Sequence, residues 1–404
     1  MQDSLTDGAL SGIRILDLSR QLPGPFCSML LADMGAEVIK VENPAGGDPA
    51  RGMLPLLKEE SVYFLSINRN KKSIALNLKA VEGREIFLKL VEGADALLEG
   101  FRPGTADRLG IGYQDVSRLN PGLVYCSLTG YGQDGPYRDR AGHDVNYIAL
   151  GGALGLTGRP EGPPVIPAVQ VADLGGALLA ALAIVAALLA RTRTERGQYI
   201  DVAMLDSVMA WLSFDVAKQW ADGVPLRRGR MLLSGQYPCY NVYQTKDGQY
   251  MSLGALEPEF WANFCRIVGR EDLIEHQYDD AEGILADVQA IFRSRTRAEW
   301  VRDLAGQDVC CEPVKTVEEV FTDPQVLHRE MYQELEHPTE GPIKQVGVPL
   351  KFSGTPATIA TPPPCLGQHT APLLAELGYN EAQIQQLERM GVVALGGGKY
   401  DSKS

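Results

Sequence analysis

Over its first 130 residues the chain repeats one pattern: a short apolar run, a turn, a helical stretch and another short apolar run. Residues 14–19 (Arg-Ile-Leu-Asp-Leu-Ser) read as a buried strand. A Pro-Gly-Pro turn follows, then a helix through Met34 and a second strand from Glu37 to Val41. The alternation continues with a strand near 73–77, a helix near 81–91, a strand at 94–101 and another at 123–129. Runs this short and this apolar are buried on both faces, and parallel strands need helical crossovers. The pattern therefore dictates an α/β domain around a parallel sheet. The loop after the first strand is Arg-Gln-Leu-Pro-Gly-Pro and contains no G-x-G-x-x-G, so a dinucleotide is not implied.

Beyond residue 220 the texture changes. Residues 240–244 and 250–255, joined by Lys246-Asp247-Gly248, read as a hairpin, with helical stretches from 257 to 320. We expect a large domain over 8–220, completed by 338–393, and a smaller α+β domain over 225–330. From Pro338 the chain reads as proline-rich and extended, then as two helices (371–377, 381–390), with 394–404 a flexible tail.

The net charge of −13 gives no global positive field for nucleic acid or anionic lipid, so neither is an expected partner. The first 150 residues carry only −3 of that charge, so an anionic ligand, if one binds, is expected there. Seven cysteines without a C-x-x-C pair argue against a disulfide framework or zinc module, and the N-terminus lacks the basic start and apolar run of a signal peptide. A cytoplasmic location is expected. Leu174 to Ala190 is uncharged, near the lower length limit for a membrane span, but it is rich in alanine with two glycines and stands alone. We read it as a core helix.

Three residues could carry chemistry. Asp173 stands immediately before that apolar helix, where an aspartate commonly caps, and the helix amides could offer an oxyanion site. His143, in Gly-His-Asp-Val-Asn-Tyr, has the side chain best suited to proton transfer near neutrality, although a single histidine is commonly structural. Glu257, in Gly-Ala-Leu-Glu-Pro-Glu-Phe, starts a helix, where a glutamate is also favoured by the helix dipole. No histidine has metal-ligand spacing and no G-x-S-x-G occurs, so no metal site is expected.

From about residue 10 to 393 the chain resembles the family III CoA-transferases, a group that includes alpha-methylacyl-CoA racemase. The resemblance rests on Leu-Ser-Gly-Ile-Arg-Ile-Leu-Asp-Leu near the start, Gly-Ala-Glu-Val-Ile-Lys-Val-Glu at 35–42 and Asn-Lys-Lys-Ser-Ile-Ala-Leu-Asn-Leu-Lys at 70–79. It is carried further by Phe-Arg-Pro-Gly at 101–104, Ala-Asp-Leu-Gly-Gly at 172–176, Gly-Gln-Tyr-Ile-Asp-Val-Ala-Met at 197–204 and Leu-Gly-Gln-His-Thr at 366–370. It implies a Rossmann-like large domain built from both chain ends, a smaller α+β domain and an interlocked homodimer.

The resemblance also implies an acyl-CoA substrate, with coenzyme A entering as part of that substrate and no tightly bound cofactor. Asp173 matches the family's catalytic aspartate, and CoA contacts fall on Gln21, Leu76, Asn77, Leu78, Lys79, Gly100, Phe101, Arg102, Arg108 and Tyr147. Relatives often carry arginine after the acid ending the second strand, whereas Glu42 is followed here by Asn43.

The His143 and Glu257 motifs are similar to those of the racemases, while the stretch 46–69 and the closing motif are similar to those of the transferases. The first reading is an acyl-CoA racemase that inverts the α-carbon of 2-methylacyl-CoA thioesters through an enolate. Asp173 and His143 would be its two bases, with Glu257 orienting His143. The alternative is a transferase moving CoA between carboxylic acids through an aspartyl thioester on Asp173.

Overall fold

The computed structural model describes residues 8–396. It contains a seven-stranded sheet of β1 (Arg14–Asp17), β2 (Glu37–Glu42), β3 (Lys71–Leu76), β4 (Ala96–Glu99), β5 (Val124–Thr129), β6 (Tyr199–Ala203) and, far along the chain, β12 (Val393–Ala394). The order is β12-β3-β2-β1-β4-β5-β6, all parallel except β12, which runs antiparallel to β3. Strand order reverses between β1 and β4, the doubly wound arrangement in which ligands bind beyond the carboxyl ends of the strands at the switch point.

The apolar pattern fixes the layers. Ile39, Ile74, Ile86, Phe87, Leu90 and Leu97 form one core together with Leu373, Leu374, Ile384 and Leu387 from the helices Thr370–Glu376 and Glu381–Arg389, so the end of the chain closes a core begun at its start. The opposite face carries the helices Pro23–Asp33 and Val171–Thr194. The second of these has a mean hydropathy of 2.2 over its most apolar window and is half buried. Its small residues let it lie close to its neighbours: a Cβ added at Gly176 would stand 2.8 Å from Met204. It begins at Val171, so Asp173 sits within its first turn and is not its N-cap.

The closing motif has an edge-sealing role. β3 has its backbone amides at Ser73 and Ala75 satisfied by the His369 ring (3.1 Å) and the Thr370 hydroxyl (3.0 Å), side-chain acceptors that supplement the two-residue β12 on this edge.

The chain divides into two compact units. One comprises residues up to Gly151, Ala168–Ala210 and Gln325 onward; the other comprises Gly152–Pro167 and Trp211–Pro324. The second unit thus takes 152–167 and 211–220, which the sequence assigned to the large domain. It holds the antiparallel strands β7 (Tyr240–Gln244), β8 (Tyr250–Gly254) and β9 (Cys311–Pro313), packed on an aromatic core of Trp261, Phe264, Phe292 and Trp300. Both indoles reach carbonyls, Trp261 that of Leu273 and Trp300 that of Phe292, each at 2.9 Å.

Two sequence readings change. Pro338 does not begin an extended stretch; it lies in the turn of a hairpin, β10 (Tyr332–His337) with β11 (Gly341–Val346). Pro342 is tolerated there because a two-stranded ribbon has open edges. The expected tail loses Ala394 to β12, and 397–404 lie outside the described residues.

Beneath the sheet's carboxyl edge, Asp17, Lys40, Asp48 and Lys71 are all buried. Lys40 pairs with Asp48 at 2.9 Å and donates to the Ser19 carbonyl at 2.9 Å; Lys71 reaches Asp17 at 3.3 Å. Burial alone would push Asp17 up, but Lys40 and Lys71, with the Ser19 and Ser28 hydroxyls, hold it at about 2. A carboxyl so depressed stabilises the fold above its unfolded pKa near 3.8 and loses that contribution as pH falls toward 2. Removing one partner leaves a buried charge uncompensated. Lys40→Met should cost about 3 kcal/mol or more of unfolding free energy at pH 7, measured by urea denaturation.

Candidate active site

The carboxyl ends of β1, β4 and β5 open onto a crevice of about 540 Å³. Its walls are the loop after β1 (Ser19 to Gly24), the loop after β4 (Gly100 to Pro103), the segment from Gly130 to Tyr147, Asp173 and Met204. A smaller chamber of about 90 Å³, walled by Lys40–Asn43 and Leu76–Lys79, shares Ser19, Arg20 and Phe101 with it.

The loop after β1 is held in a conformation that side chains resist. Gln21 has φ of 62°, in the left-handed region, and its amide donates to both carboxylate oxygens of Asp48, at 3.0 and 3.2 Å. Asp48 is itself fixed by buried Lys40, so the charged layer under the sheet sets where Gln21 meets the crevice.

Asp173 is reached through Asp144. No side chain next to the start of Val171–Thr194 caps that helix; the Asp144 carboxylate, 28 residues earlier in the chain, accepts from Ala172 N–H at 2.7 Å and from Asp173 N–H at 3.1 Å. The oxyanion role expected of this helix start is therefore corrected, because Asp144 already occupies those amides. Asp144 also opens the helix Asp144–Leu150, whose N-cap is His143. One carboxylate thus ties the His143 turn to the Asp173 turn, and both residues line the crevice.

Among the described residues the Asp173 carboxylate has no hydrogen-bond donor or cation partner. Burial first, and the negative charge of Asp144 second, push it up to about 7. Tyr147 packs under the same wall and donates to the Gly142 carbonyl at 2.6 Å. A Cβ at Gly130 or Gly142 would stand 2.4 or 2.7 Å from its ring, so only glycine allows the backbone to close over it.

Of the expected contacts, Gln21, Gly100, Phe101, Arg102 and Tyr147 line the crevice, and Leu76, Asn77, Leu78 and Lys79 line the small chamber. Arg108 lines neither; its guanidinium donates to Thr105 at 2.8 Å. Glu257 is the N-cap of Pro258–Ile267 in the second unit. Sequence reasoning missed Asp144, although it adjoins His143 in the same motif, because nothing in the spacing announces a cap that arrives from 28 residues away.

It also missed Glu99. This residue is buried at the end of β4, accepts from Phe101 N–H at 2.7 Å and from the Ser127 hydroxyl, and is pushed by burial to about 7. It anchors the loop that presents Phe101 and Arg102.

The sequence profile of CoA-transferase family III matches residues 10–370. The chain belongs to that family. Succinyl-CoA:glutarate CoA-transferase of Mus musculus is 39% identical over 95% of this chain and 90% of its own length. Alpha-methylacyl-CoA racemase of Homo sapiens is 35% identical over 94% and 96%. The crystal structure of a CAIB/BAIF family protein from Brucella suis superposes with a TM-score of 0.81 at 32% identity, covering 92% of this chain and 100% of that one. The family acts on CoA thioesters, and both branches weighed from the sequence are represented among the relatives.

Asp144→Asn keeps an acceptor for the helix amides while removing the charge that raises Asp173. We expect the Asp173 carboxyl to titrate at lower pH in this variant, read by carbon-13 NMR of labelled aspartate; an unchanged titration would contradict the coupling.

Proposed function

We propose that this enzyme is a CoA-transferase that moves CoA between two carboxylic acids, with Asp173 as the covalent nucleophile. The carrying observation is the Asp173 carboxyl itself, unpartnered in a crevice at the sheet's switch point and raised to about 7. A carboxylate with a raised pKa is a better nucleophile once ionised, and no salt bridge has to be broken to free it. The relatives at 38 and 39% identity carry transferase names and the racemases stand at 35 and 36%, which supports reversing the order of the two readings.

In this reading an Asp173 oxygen attacks the thioester carbonyl carbon, the C–S bond breaks and CoA thiolate leaves, giving an acyl-aspartyl anhydride. The thiolate then attacks the aspartyl carbonyl, which releases the donor carboxylate and leaves CoA as a thioester on Asp173. The acceptor carboxylate attacks that thioester, forming a second anhydride and freeing the thiolate, which takes the new acyl group and regenerates the Asp173 carboxylate. Gln21, Gly100 to Arg102 and Tyr147 would border the CoA arm, Leu76 to Lys79 the adenosine, and Arg108 would close on phosphate. CoA enters as substrate. We further propose a cytoplasmic location and an interlocked homodimer; the dimer is supported by the exposed stripe Leu178, Leu182 and Leu189 on the long helix.

The racemase reading is favoured by one observation, that His143 and Asp173 line the same crevice, as two bases on opposite faces of an α-carbon require. Glu257 would then orient His143. The discriminating experiment incubates the enzyme with one enantiomer of a 2-methylacyl-CoA in heavy water, first alone and then with a panel of carboxylic acids. The transferase reading expects no α-deuterium and new acyl-CoA once acids are added; deuterium with inversion would overturn it.

Asp173→Asn should lower kcat at least about 10³-fold, and His143→Ala should leave transfer measurable. Because the raised Asp173 must lose its proton to attack, kcat/KM should climb with pH and level off above about 7. The same group disfavours the folded state once ionised, so Asp173→Asn should melt higher than the native enzyme at pH 8 and match it near pH 4, measured calorimetrically.

A further inference from the structure

We propose that Arg138 and Arg140 form a subsite for a second carboxylate, so that the acids exchanged are dicarboxylates; this rests on the transferase reading of Asp173. Among the residues lining the crevice, Asp173 is the sole carboxylate, and the lining also carries four arginines, Arg20, Arg102, Arg138 and Arg140. Such an excess of positive charge in a chain of net charge −13 calls for anions.

The four fall into two pairs by position. Arg20 and Arg102 belong to the loops after β1 and β4, and Arg20 stacks at 5.2 Å on Phe101, the wall shared with the small chamber. Arg20 lines both cavities, on the side where CoA's phosphates would lie, and Arg102 follows Phe101 directly in the chain. Arg138 and Arg140 stand on the β5-to-His143 segment, beside the turn that Asp144 ties to Asp173, and like Arg102 they line the larger crevice and not the small chamber. They share the crevice with the reacting carboxyl and are absent from the small chamber.

Arg140 is mounted on a chain of aromatic rings. Buried Tyr147 meets Tyr131 edge-on at 5.1 Å, Tyr131 meets Tyr137 edge-on at 6.0 Å, and the Arg140 guanidinium lies on the Tyr137 ring at 3.7 Å. A guanidinium stacked by its face keeps its N–H edge for a planar anion, and among the described residues Arg140 has no side-chain hydrogen bond or ion pair. Arg138 has only a 3.6 Å contact with exposed Asp139, weak competition for an incoming carboxylate. A neutral acyl chain offers neither guanidinium in the crevice an anion to bind. A diacid whose first carboxyl reacts at Asp173 gives its second carboxylate to them.

The test compares glutarate with pentanoate, acceptors of equal chain length that differ in the second carboxylate, using succinyl-CoA as donor and the full-length enzyme. The readout is the ratio of kcat/KM for the two acids, which cancels any difference in the fraction folded. The subsite predicts a ratio of roughly 10- to 100-fold or more in favour of glutarate, carried mainly by KM. Arg140→Gln and Arg138→Gln should each collapse it, Arg140→Lys should restore part of it, and Arg102→Gln should leave the ratio as it is. Equal use of both acids by the native enzyme, or a ratio that survives Arg140→Gln and Arg138→Gln, would overturn the subsite while leaving the transferase intact. No transfer to either acid, with deuterium entering the α-carbon of a 2-methylacyl-CoA, would remove the transferase reading and the subsite together.

Discussion

Two lysines, Lys40 and Lys71, lie inside the parallel sheet with almost no access to water, and the loop that opens the crevice is built on them. A buried ammonium cannot be left unpaired, so the carboxylates of Asp48 and Asp17 are drawn to fixed positions. Once fixed, Asp48 has oxygen lone pairs to spare and takes the Gln21 amide, which holds that residue left-handed at the crevice wall. An apolar core would tolerate small shifts of this loop. A charged one does not, because each displacement leaves an ion without its partner.

The second dependency runs through Asp144. Capping the long helix from a distant turn satisfies amides that would otherwise be open, and it also brings a negative charge close to Asp173. The consequence is mixed. The cap stabilises the fold and registers the His143 turn against the helix, while the charge and the burial together make the Asp173 carboxylate costly to ionise. Active sites commonly store such a conflict where a reactive group is needed, and here it is confined to one side chain.

Much of this architecture could be read from residues alone. The parallel strands from β1 to β5 were legible because short apolar runs alternate with amphipathic helices, and the terminal helix pair because its periodicity is clean. The hairpin at 332–346 was hidden by Pro338 and Pro342, since a proline normally argues against a strand and only an open edge excuses it. β12 is too short to leave a pattern. At the site, Asp173 and His143 stood out by motif and residue type. Asp144, Glu99 and the arginine pair did not, because their roles come from contacts that strand order creates between distant segments. The reading of the helix amides as an oxyanion site failed for the same reason: their partner arrives from 28 residues away.

The measurement that bears most directly on this account is the mass of the Asp173 peptide after the enzyme is mixed with an acyl-CoA donor, quenched in acid and digested. This peptide is expected to carry CoA as a thioester, and adding an acceptor acid is expected to discharge it. An enzyme that turns over with an unmodified Asp173 peptide at every quench time, or with CoA on another residue, would contradict it.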